Sequence, residues 1–169
     1  LLTLALSNVN LNTSAAAAAA LPAIDLSAAR LVMAHYIPAL QAAEPQTRCD
    51  ACAILGGLGA LAKPAVPALL LAARDSDALV RDRATRALGN IGIPAGQVIP
   101  ALLQSLHDST PFVRYTAASV FAFGGLSSPE SVTVLTQLAD DADRNVAQLA
   151  KSAVAAAERS HQVSALLMM

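Results

Sequence analysis

The chain has 169 residues, of which 55% are hydrophobic, 14% charged and 3% aromatic, and its formal net charge is −1. This length suffices for a domain with a buried core. Eleven Lys and Arg against twelve Asp and Glu give none of the basic excess that nucleic-acid and electrostatic membrane binders carry. No apolar run reaches the roughly 18 residues of a spanning helix. We therefore expect neither a nucleic-acid partner nor membrane insertion.

Residues 1–25 match no later segment, and we expect them to form an N-terminal capping or leader segment. The chain starts with Leu, and Ala15–Ala20 is a run of alanines. Such a start suits either an alanine-rich leading helix, which we favour, or the remnant of a signal or transit peptide. Two isolated cysteines suit a reducing compartment, so we favour the cytoplasm, with organelle or export targeting as the alternative.

From residue 66 onward the chain repeats itself every 33 residues without a gap, whereas upstream the pattern weakens and the similar Ile37–Leu40 lies four residues too close. Val66–Leu70 aligns with Ile99–Leu103 and, more weakly, with Val132–Thr136. A fixed period of this length is typical of stacked structural repeats. The same offset superposes Asp75, Asp108 and Asp141, then Val80, Val113 and Val146, then Ala84, Ala117 and Ala150.

Each repeat is predicted to contain two helices joined by a short polar turn. The first helix is expected to start near a proline, which suits a first helical turn. The second carries apolar residues at helical spacing and ends at glycine, which accepts left-handed backbone. The predicted first helices are Pro67–Arg74, Pro100–His107 and Val132–Ala139. The predicted buried positions of the second helices are Val80, Ala84, Ala87, Leu88 and Ile91, then Val113, Ala117, Val120 and Phe121. The predicted glycine ends are Gly56–Gly59, Gly89–Gly92 and Gly124–Gly125.

Alanine supplies most of the hydrophobic excess, and it is the best helix former, whereas strands favour β-branched and aromatic residues. We therefore predict an all-α fold, an α-α superhelix of antiparallel helix pairs. The repeat domain is expected to span residues 26–169. Leu26–Ala43 holds either a short first helix or one helix kinked at Pro38. The predicted repeats are about 26–65, 66–98, 99–131 and 132–164, and 165–169 would be a cap or the cut edge of a longer solenoid.

These residues resemble HEAT repeats, in particular the short HEAT-like type first named in phycobilisome lyases. The resemblance covers about residues 34–162. The residues that carry it are the Pro-Ala-Leu-Leu start, the turn Asp, the Val-Arg that follows, and the Ala-Leu-Gly-x-Ile-Gly end at Ala87–Gly92. HEAT-like repeats serve scaffolds, transport receptors, lyases and assembly factors, so the resemblance is specific for fold and weak for function.

The resemblance also implies a ladder of Asp and Arg residues between neighbouring repeats. Asp75 with Arg81 and Asp108 with Arg114 fit this pattern, and we assign them to structure. Arg48 would lack an Asp because residue 42 is Ala. Asp141 would lack an Arg because residue 147 is Ala. The ladder is therefore expected to be incomplete at both ends.

No catalytic, cofactor or metal site is predicted, and we expect a protein that is not an enzyme. Cys49 and Cys52 form a C-x-x-C motif, but no further cysteine or clustered histidine would complete a zinc site. HEAT-repeat hydroxylases bind di-iron through His-Glu pairs, and none of the three histidines precedes a Glu. The two cysteines are interpreted as isolated thiols in a second helix.

The second helix of each repeat is expected to line the concave, partner-binding face. Arg and Tyr are enriched in binding hot spots, which favours Arg83, Arg86 and Tyr115 as anchors. The predicted binding residues are Asp82, Arg83, Arg86, Tyr115, Thr116, Ser119, Gln148 and Ser152. The function that we predict is a non-catalytic protein-binding scaffold or a subunit or assembly factor of a larger complex. A bilin lyase-type or chaperone-like subunit acting on phycobiliproteins and a HEAT-like DNA glycosylase are the alternatives.

Overall fold

Helices form every regular element in the part of the chain that the structure describes, residues 26–92, 95–123 and 128–167 of a computed structural model. The all-α prediction is confirmed there. The predicted capping segment, residues 1–25, lies outside these residues. The helices are α1 (Leu26–Ala39), α2 (Pro45–Gly57), α3 (Val66–Ala72), α4 (Ala78–Ile91), α5 (Ala95–Leu106), α6 (Pro111–Phe123), α7 (Pro129–Leu138) and α8 (Arg144–Leu167), with a 3-10 helix at Gly59–Ala65. In these ranges, no helix combines the length and the apolar character needed to span a bilayer.

The chain divides at Ile93 and Pro94 into two compact units. Unit 1 contains α1 to α4, and unit 2 contains α5 to α8. In unit 1 the most extensive helix contact is between α2 and α4, and in unit 2 it is between α6 and α8. These are the second helices of consecutive repeats. Within each unit, therefore, second helices stack on each other side by side.

Small side chains occupy buried positions of the second helices. Ala84, Ala117 and Ala150, which superpose at the 33-residue offset, are all 0% exposed. The closest approach is at Gly56 of α2, where an added Cβ would lie 2.9 Å from both Cα and Cβ of Ala87 in α4. No real Cβ tolerates that distance to a backbone atom, so glycine is needed for the two helices to pack at this separation.

Larger apolar side chains fill the space on either side of the alanines. The predicted buried positions of α4 and α6 are all at most 9% exposed, as expected for the apolar stripe of a packed helix. Leu55 in α2 and Leu88 in α4, one period apart, are 0% and 1% exposed. Burial of such a side chain stabilises the fold by roughly 1.5–3 kcal/mol.

An aspartate caps the N-terminus of α4 in unit 1 and of α8 in unit 2. The Asp77 carboxylate accepts hydrogen bonds from the amides of Leu79 and Val80 at the start of α4. The Asp143 carboxylate accepts the equivalent bonds from the amides of Asn145 and Val146 at the start of α8. These bonds satisfy amides that have no partner within the helix.

Several helix boundaries differ from the prediction. Helix α5 begins at Ala95, so that Pro100 lies inside it, and α7 begins at Pro129 rather than Val132. Ser128 explains the early start of α7, because its hydroxyl accepts the amide of Ser131 in a capping box. Pro100 is exposed, so water can solvate the helix carbonyl that receives no amide hydrogen from the proline.

The N-terminal ambiguity and the glycine ends are partly resolved. Helix α1 passes through Pro38 and ends at Ala39, so the interpretation of one long helix holds up to that residue. Gly92 ends α4 with φ 63° and ψ 51°, and Gly59 follows α2 with φ 52°. Left-handed backbone of this kind favours glycine. Gly124 and Gly125 lie outside the described residues.

The ladder pairs different residues from those predicted. Arg48 donates from Nε and Nη2 to the two carboxylate oxygens of Asp75, at 2.7 and 2.8 Å. Arg114 makes the same bidentate pair with Asp141, at 2.8 Å for both bonds. The prediction that Arg48 and Asp141 lack partners is wrong. Each arginine reaches the aspartate 27 residues later, at the turn of the next repeat.

The aspartates six residues before Arg81 and Arg114 each supply a backbone oxygen. Nη1 of Arg81 donates to the carbonyl oxygens of Asp75 and Ser76, and Nη1 of Arg114 donates to those of Asp108 and Ser109. These carbonyls lie in the turn after the first helix, where the helix itself offers no donor. The position of the Arg114 side chain is thus determined by the carbonyl oxygens of its own turn as well as by the aspartate carboxylate of the next repeat.

Replacing Gly56 with Ala should destabilise unit 1 by about 1–3 kcal/mol, because the new methyl group overlaps Ala87. Gly57→Ala, at the half-exposed last residue of α2, should be neutral or slightly stabilising, since Ala favours helix more than Gly does. Urea unfolding followed by circular dichroism measures both. Adding Ala87→Gly to the Gly56 variant should recover part of the loss, and equal stabilities of the two single variants would contradict the close approach.

The Arg-Asp pairs should make the fold sensitive to acid. The hydrogen bonds from Arg114 and Arg48 lower the pKa of Asp141 and of Asp75 below the ordinary value of 3.8. As pH falls, these two carboxylates are therefore protonated at a higher pH in the unfolded chain than in the folded one. The pairs stabilise the fold fully well above pH 3.8, and this stabilisation is lost as pH falls through the lower pKa of the folded state.

Asp141→Asn should cost about 2 kcal/mol at pH 7 and flatten the decline of unfolding free energy between about pH 5 and 2. Asp140→Asn, at the exposed neighbouring carboxylate, should do neither. Urea unfolding across this pH range tests the pair. An acid response that is the same in the Asp141→Asn variant and in the wild type would be incompatible with it.

Candidate protein-binding surface

The second helices present one side to solvent in each unit. In unit 1 the exposed side of α4 carries Arg83 and Arg86. Arg86 Nη2 lies 3.8 Å from Asp82 Oδ1, one helical turn earlier, and the Asp82 residue is only 7% exposed. This side of α4 therefore exposes the guanidinium groups of Arg83 and Arg86, while the Asp82 carboxylate next to Arg86 is mostly buried.

The structure places the eight predicted binding residues at different depths. Thr116 is only 2% exposed, so it cannot contact a partner unless α6 repacks. Ser119 is half-buried and its hydroxyl donates to the Thr116 carbonyl at 2.7 Å, while the Ser152 hydroxyl donates to the Gln148 carbonyl at 3.1 Å. Five of the eight are exposed, namely Arg83, Arg86, Tyr115, Gln148 and Ser152. Binding by any of them stays a prediction.

Exposed aromatic residues are concentrated on one helix of unit 2. The whole chain has five aromatic side chains, three Phe and two Tyr. Tyr36 and Phe121 are buried, whereas Phe112, Tyr115 and Phe123 are 42%, 43% and 81% exposed. All three exposed rings are on α6. Since aromatic burial is strongly favourable in water, three such rings on one short helix are unusual for a surface without a partner.

Two of these rings line a surface pocket at the start of α6 and α8, which we call the α6–α8 pocket. Its volume is about 440 Å³, and the side chains that line it are Pro111, Phe112, Tyr115, Asp143 and Asn145. Phe112 and Tyr115 are three residues apart, so they lie on one side of α6. Asp143 and Asn145 come from the start of α8. The pocket thus joins two aromatic rings to a carboxylate and a carboxamide.

Sequence reasoning identified Tyr115 and missed the other pocket residues. Phe112 directly precedes Val113 of the buried stripe, and Leu79 holds the same place before Val80, one repeat earlier. Leu79 is 55% exposed. The recurrence of an apolar residue, Leu79 and then Phe112, just outside the buried stripe of two consecutive repeats could have indicated an exposed apolar position. Asp143 and Asn145 lie in a segment with the composition of an ordinary turn and helix cap, so the sequence alone did not indicate that they line a pocket.

The two cysteines are poorly suited to chemistry. Cys49 is 7% exposed and Cys52 is 0% exposed, and both are free thiols. Burial raises the pKa of Cys49, and it raises the pKa of Cys52 to about 12. The reactive form is the thiolate, which such an environment disfavours at neutral pH. Across the described ranges, His, Cys, Asp and Glu also form no group of three or more that could hold a metal ion.

The sequence and the fold were compared with known proteins. A profile of HEAT repeats matches residues 33–121. None of the curated proteins matches the sequence.

Solved structures share the fold over most of the chain. An engineered protein is 21% identical, with a TM-score of 0.62 over 92% of this chain and 77% of that one. A designed armadillo repeat protein in complex with the peptide (KR)4 is 16% identical, with a TM-score of 0.62 and coverage of 92% and 80%. The archaeal HEAT-like repeats protein from Thermococcus onnurineus NA1 is 15% identical, with a TM-score of 0.52 and coverage of 92% and 70%.

At these identities the structural likeness establishes the fold alone, and neither comparison identifies the phycobilisome lyase type. The profile match covers more than half of the chain and includes the stacked second helices of unit 1. On that evidence, the chain belongs to the HEAT-repeat family.

Proposed function

We propose that this HEAT-repeat chain binds a protein partner through the exposed sides of its second helices, with the α6–α8 pocket as the main anchor point. The observation that carries the proposal is the collection of all three exposed aromatic rings on α6. Tyrosine dominates binding hot spots because it combines a large apolar area with a hydrogen-bonding hydroxyl. An exposed Tyr and Phe side by side offer that combination without any rearrangement of the core.

The size and opening of the pocket favour a side chain of another protein as its occupant. A volume of about 440 Å³ at the surface can receive one or two side chains. The exposed carboxamides of Asn145 and Gln148 can each donate and accept hydrogen bonds, which suits the peptide groups on either side of an inserted residue. The same set contains no arrangement of nucleophile and base, so recognition is the chemistry that it supports.

The known behaviour of similar folds is compatible with this proposal. The designed armadillo repeat protein of similar fold was solved with the peptide (KR)4 bound, so such a fold can present a surface to a peptide. A place as a subunit or assembly factor of a larger complex is the specific role that we propose for this chain. In the described residues, nothing favours a bilin lyase or a DNA glycosylase.

Selection from an unbiased peptide library displayed on phage, with the chain immobilised, tests the proposal. Peptides selected by the wild type should lose roughly tenfold or more in affinity towards a Phe112→Ala/Tyr115→Ala double variant. Leu31→Ala, which removes a side chain that is 68% exposed on α1, should bind them normally. Circular dichroism should show that both variants stay folded, with a somewhat lower melting temperature in the double variant because Phe112 and Tyr115 are more than half covered.

Peptides that bind the double variant as tightly as the wild type would place recognition elsewhere and end the proposal. Equal losses in the double variant and in Leu31→Ala would do the same, since they would indicate nonspecific adhesion to apolar surface.

A further inference from the structure

We propose that the α6–α8 pocket holds a lysine or arginine side chain, so that the partner's docking segment is basic. This inference rests on the proposed function and specifies the chemistry of the partner at the same surface. It follows from what lines the pocket, which backbone amides there are already bonded, and how charge is distributed in unit 2.

The lining combines the two groups that attract a cation. The faces of the Phe112 and Tyr115 rings carry negative electrostatic potential and bind ammonium or guanidinium groups placed over them. Asp143 adds a carboxylate at the same pocket, and no Lys or Arg is among the described residues that line it. An inserted cation would therefore meet ring faces and one carboxylate; the Arg114 guanidinium also interacts with the Asp143 charge, but it does not line the pocket.

An anion would find few donors, although helix N-termini usually attract anions. Helix α6 starts with Pro111, which has no amide hydrogen. In α8 the amides of Asn145 and Val146 already donate to Asp143 Oδ1, at 2.9 and 3.2 Å. The positive end of α8 is therefore occupied by the protein's own carboxylate. The second oxygen, Oδ2, makes no hydrogen bond within the described residues and can accept one from a partner.

The charge around the pocket points the same way. Residues 94–169 contain six acidic and four basic side chains, whereas residues 26–93 contain seven basic and five acidic ones. The guanidinium of Arg114, on α6, is hydrogen-bonded to both carboxylate oxygens of Asp141, and it interacts with the Asp143 carboxylate through space without a hydrogen bond. Arg144 follows Asp143 in sequence but is not among the residues lining the pocket. Unit 2 therefore carries a net negative charge that complements a basic segment.

An apolar side chain fits this pocket less well. It would cover the two rings favourably, but it would also remove water from Asp143 and Asn145 without replacing their hydrogen bonds. Burying a charged or amide group in that way is unfavourable. A cationic side chain with an aliphatic stem avoids the conflict, because the stem covers the rings while the head group reaches the carboxylate.

Four synthetic nonapeptides that differ only at alternate positions test the proposal. Those positions hold arginine, its neutral isostere citrulline, norleucine or glutamate. Binding to the ¹⁵N-labelled chain is measured by NMR titration, which detects weak complexes and locates them. We expect the arginine peptide to shift the amide resonances of Tyr115 and Asn145, and to bind roughly tenfold more tightly than the citrulline peptide.

Two matched variants separate a specific pocket from general charge attraction. Asp143→Asn keeps a good N-cap residue and removes the charge at the pocket. Asp77→Asn makes the same change at the equivalent cap of α4, with the same effect on net charge. The arginine peptide should bind the Asp143→Asn variant about fivefold more weakly than the wild type, whereas its affinity for the Asp77→Asn variant should be unchanged.

Citrulline, norleucine or glutamate peptides that bind at Tyr115 as tightly as the arginine peptide would overturn the cation proposal, and they would leave peptide binding at this surface intact. Equal weakening by Asp77→Asn and Asp143→Asn would also overturn it, as would the absence of any shift at Tyr115. Library-selected peptides that depend on Tyr115 but contain no Lys or Arg would reject the cation while retaining the proposed function.

Discussion

The close packing of one second helix on the next determines most of what this chain can do. Gly56 has no side chain where α4 passes, and Ala87 has only a methyl group there, so the two backbones approach until a further carbon atom would not fit. Ala84, Ala117 and Ala150, one period apart on the second helices, are completely buried. In unit 1, α4 packs against α2, α3 and the 3-10 helix, and the side that remains, with Arg83 and Arg86, faces solvent. The binding surface that we propose is therefore a consequence of the same packing.

The arginine–aspartate pairs add a directional constraint to the close packing of the helices. A bidentate guanidinium–carboxylate pair fixes both the distance and the angle between its two groups, which apolar contacts alone do not. Arg114 joins the turn of its own repeat, through two carbonyl oxygens, to the Asp141 carboxylate of the next repeat. Both side chains of the pair are mostly shielded from water, at 14% and 7% exposed. Each pair thus sets the register of neighbouring hairpins at the point where the chain turns.

The sequence was sufficient for the helical class, the 33-residue period and the buried positions, because each of these repeats in the chain and depends on helical spacing. It was insufficient wherever the answer depended on a neighbour in space. Asp75 and Arg81 lie six residues apart and look like a pair, yet the Asp75 carboxylate binds Arg48, and Arg81 binds a backbone oxygen. The pocket was missed for the same reason, since Asp143 and Phe112 belong to different repeats and carry no shared motif. The start of α7 depended on a local serine cap that the repeat alignment does not contain.

The binding function that we propose depends on the surfaces of the second helices. The exposed sides of the second helices exist only if those helices stack as described, and the most direct test is the distance between Gly56 and Ala87. A ¹³C-edited NOE spectrum of the folded chain should show a strong cross-peak between the Ala87 methyl protons and the Gly56 α protons. If this cross-peak is absent in a spectrum that resolves both groups, α2 and α4 do not pack at this distance, and the account of the fold and of its binding surface is wrong.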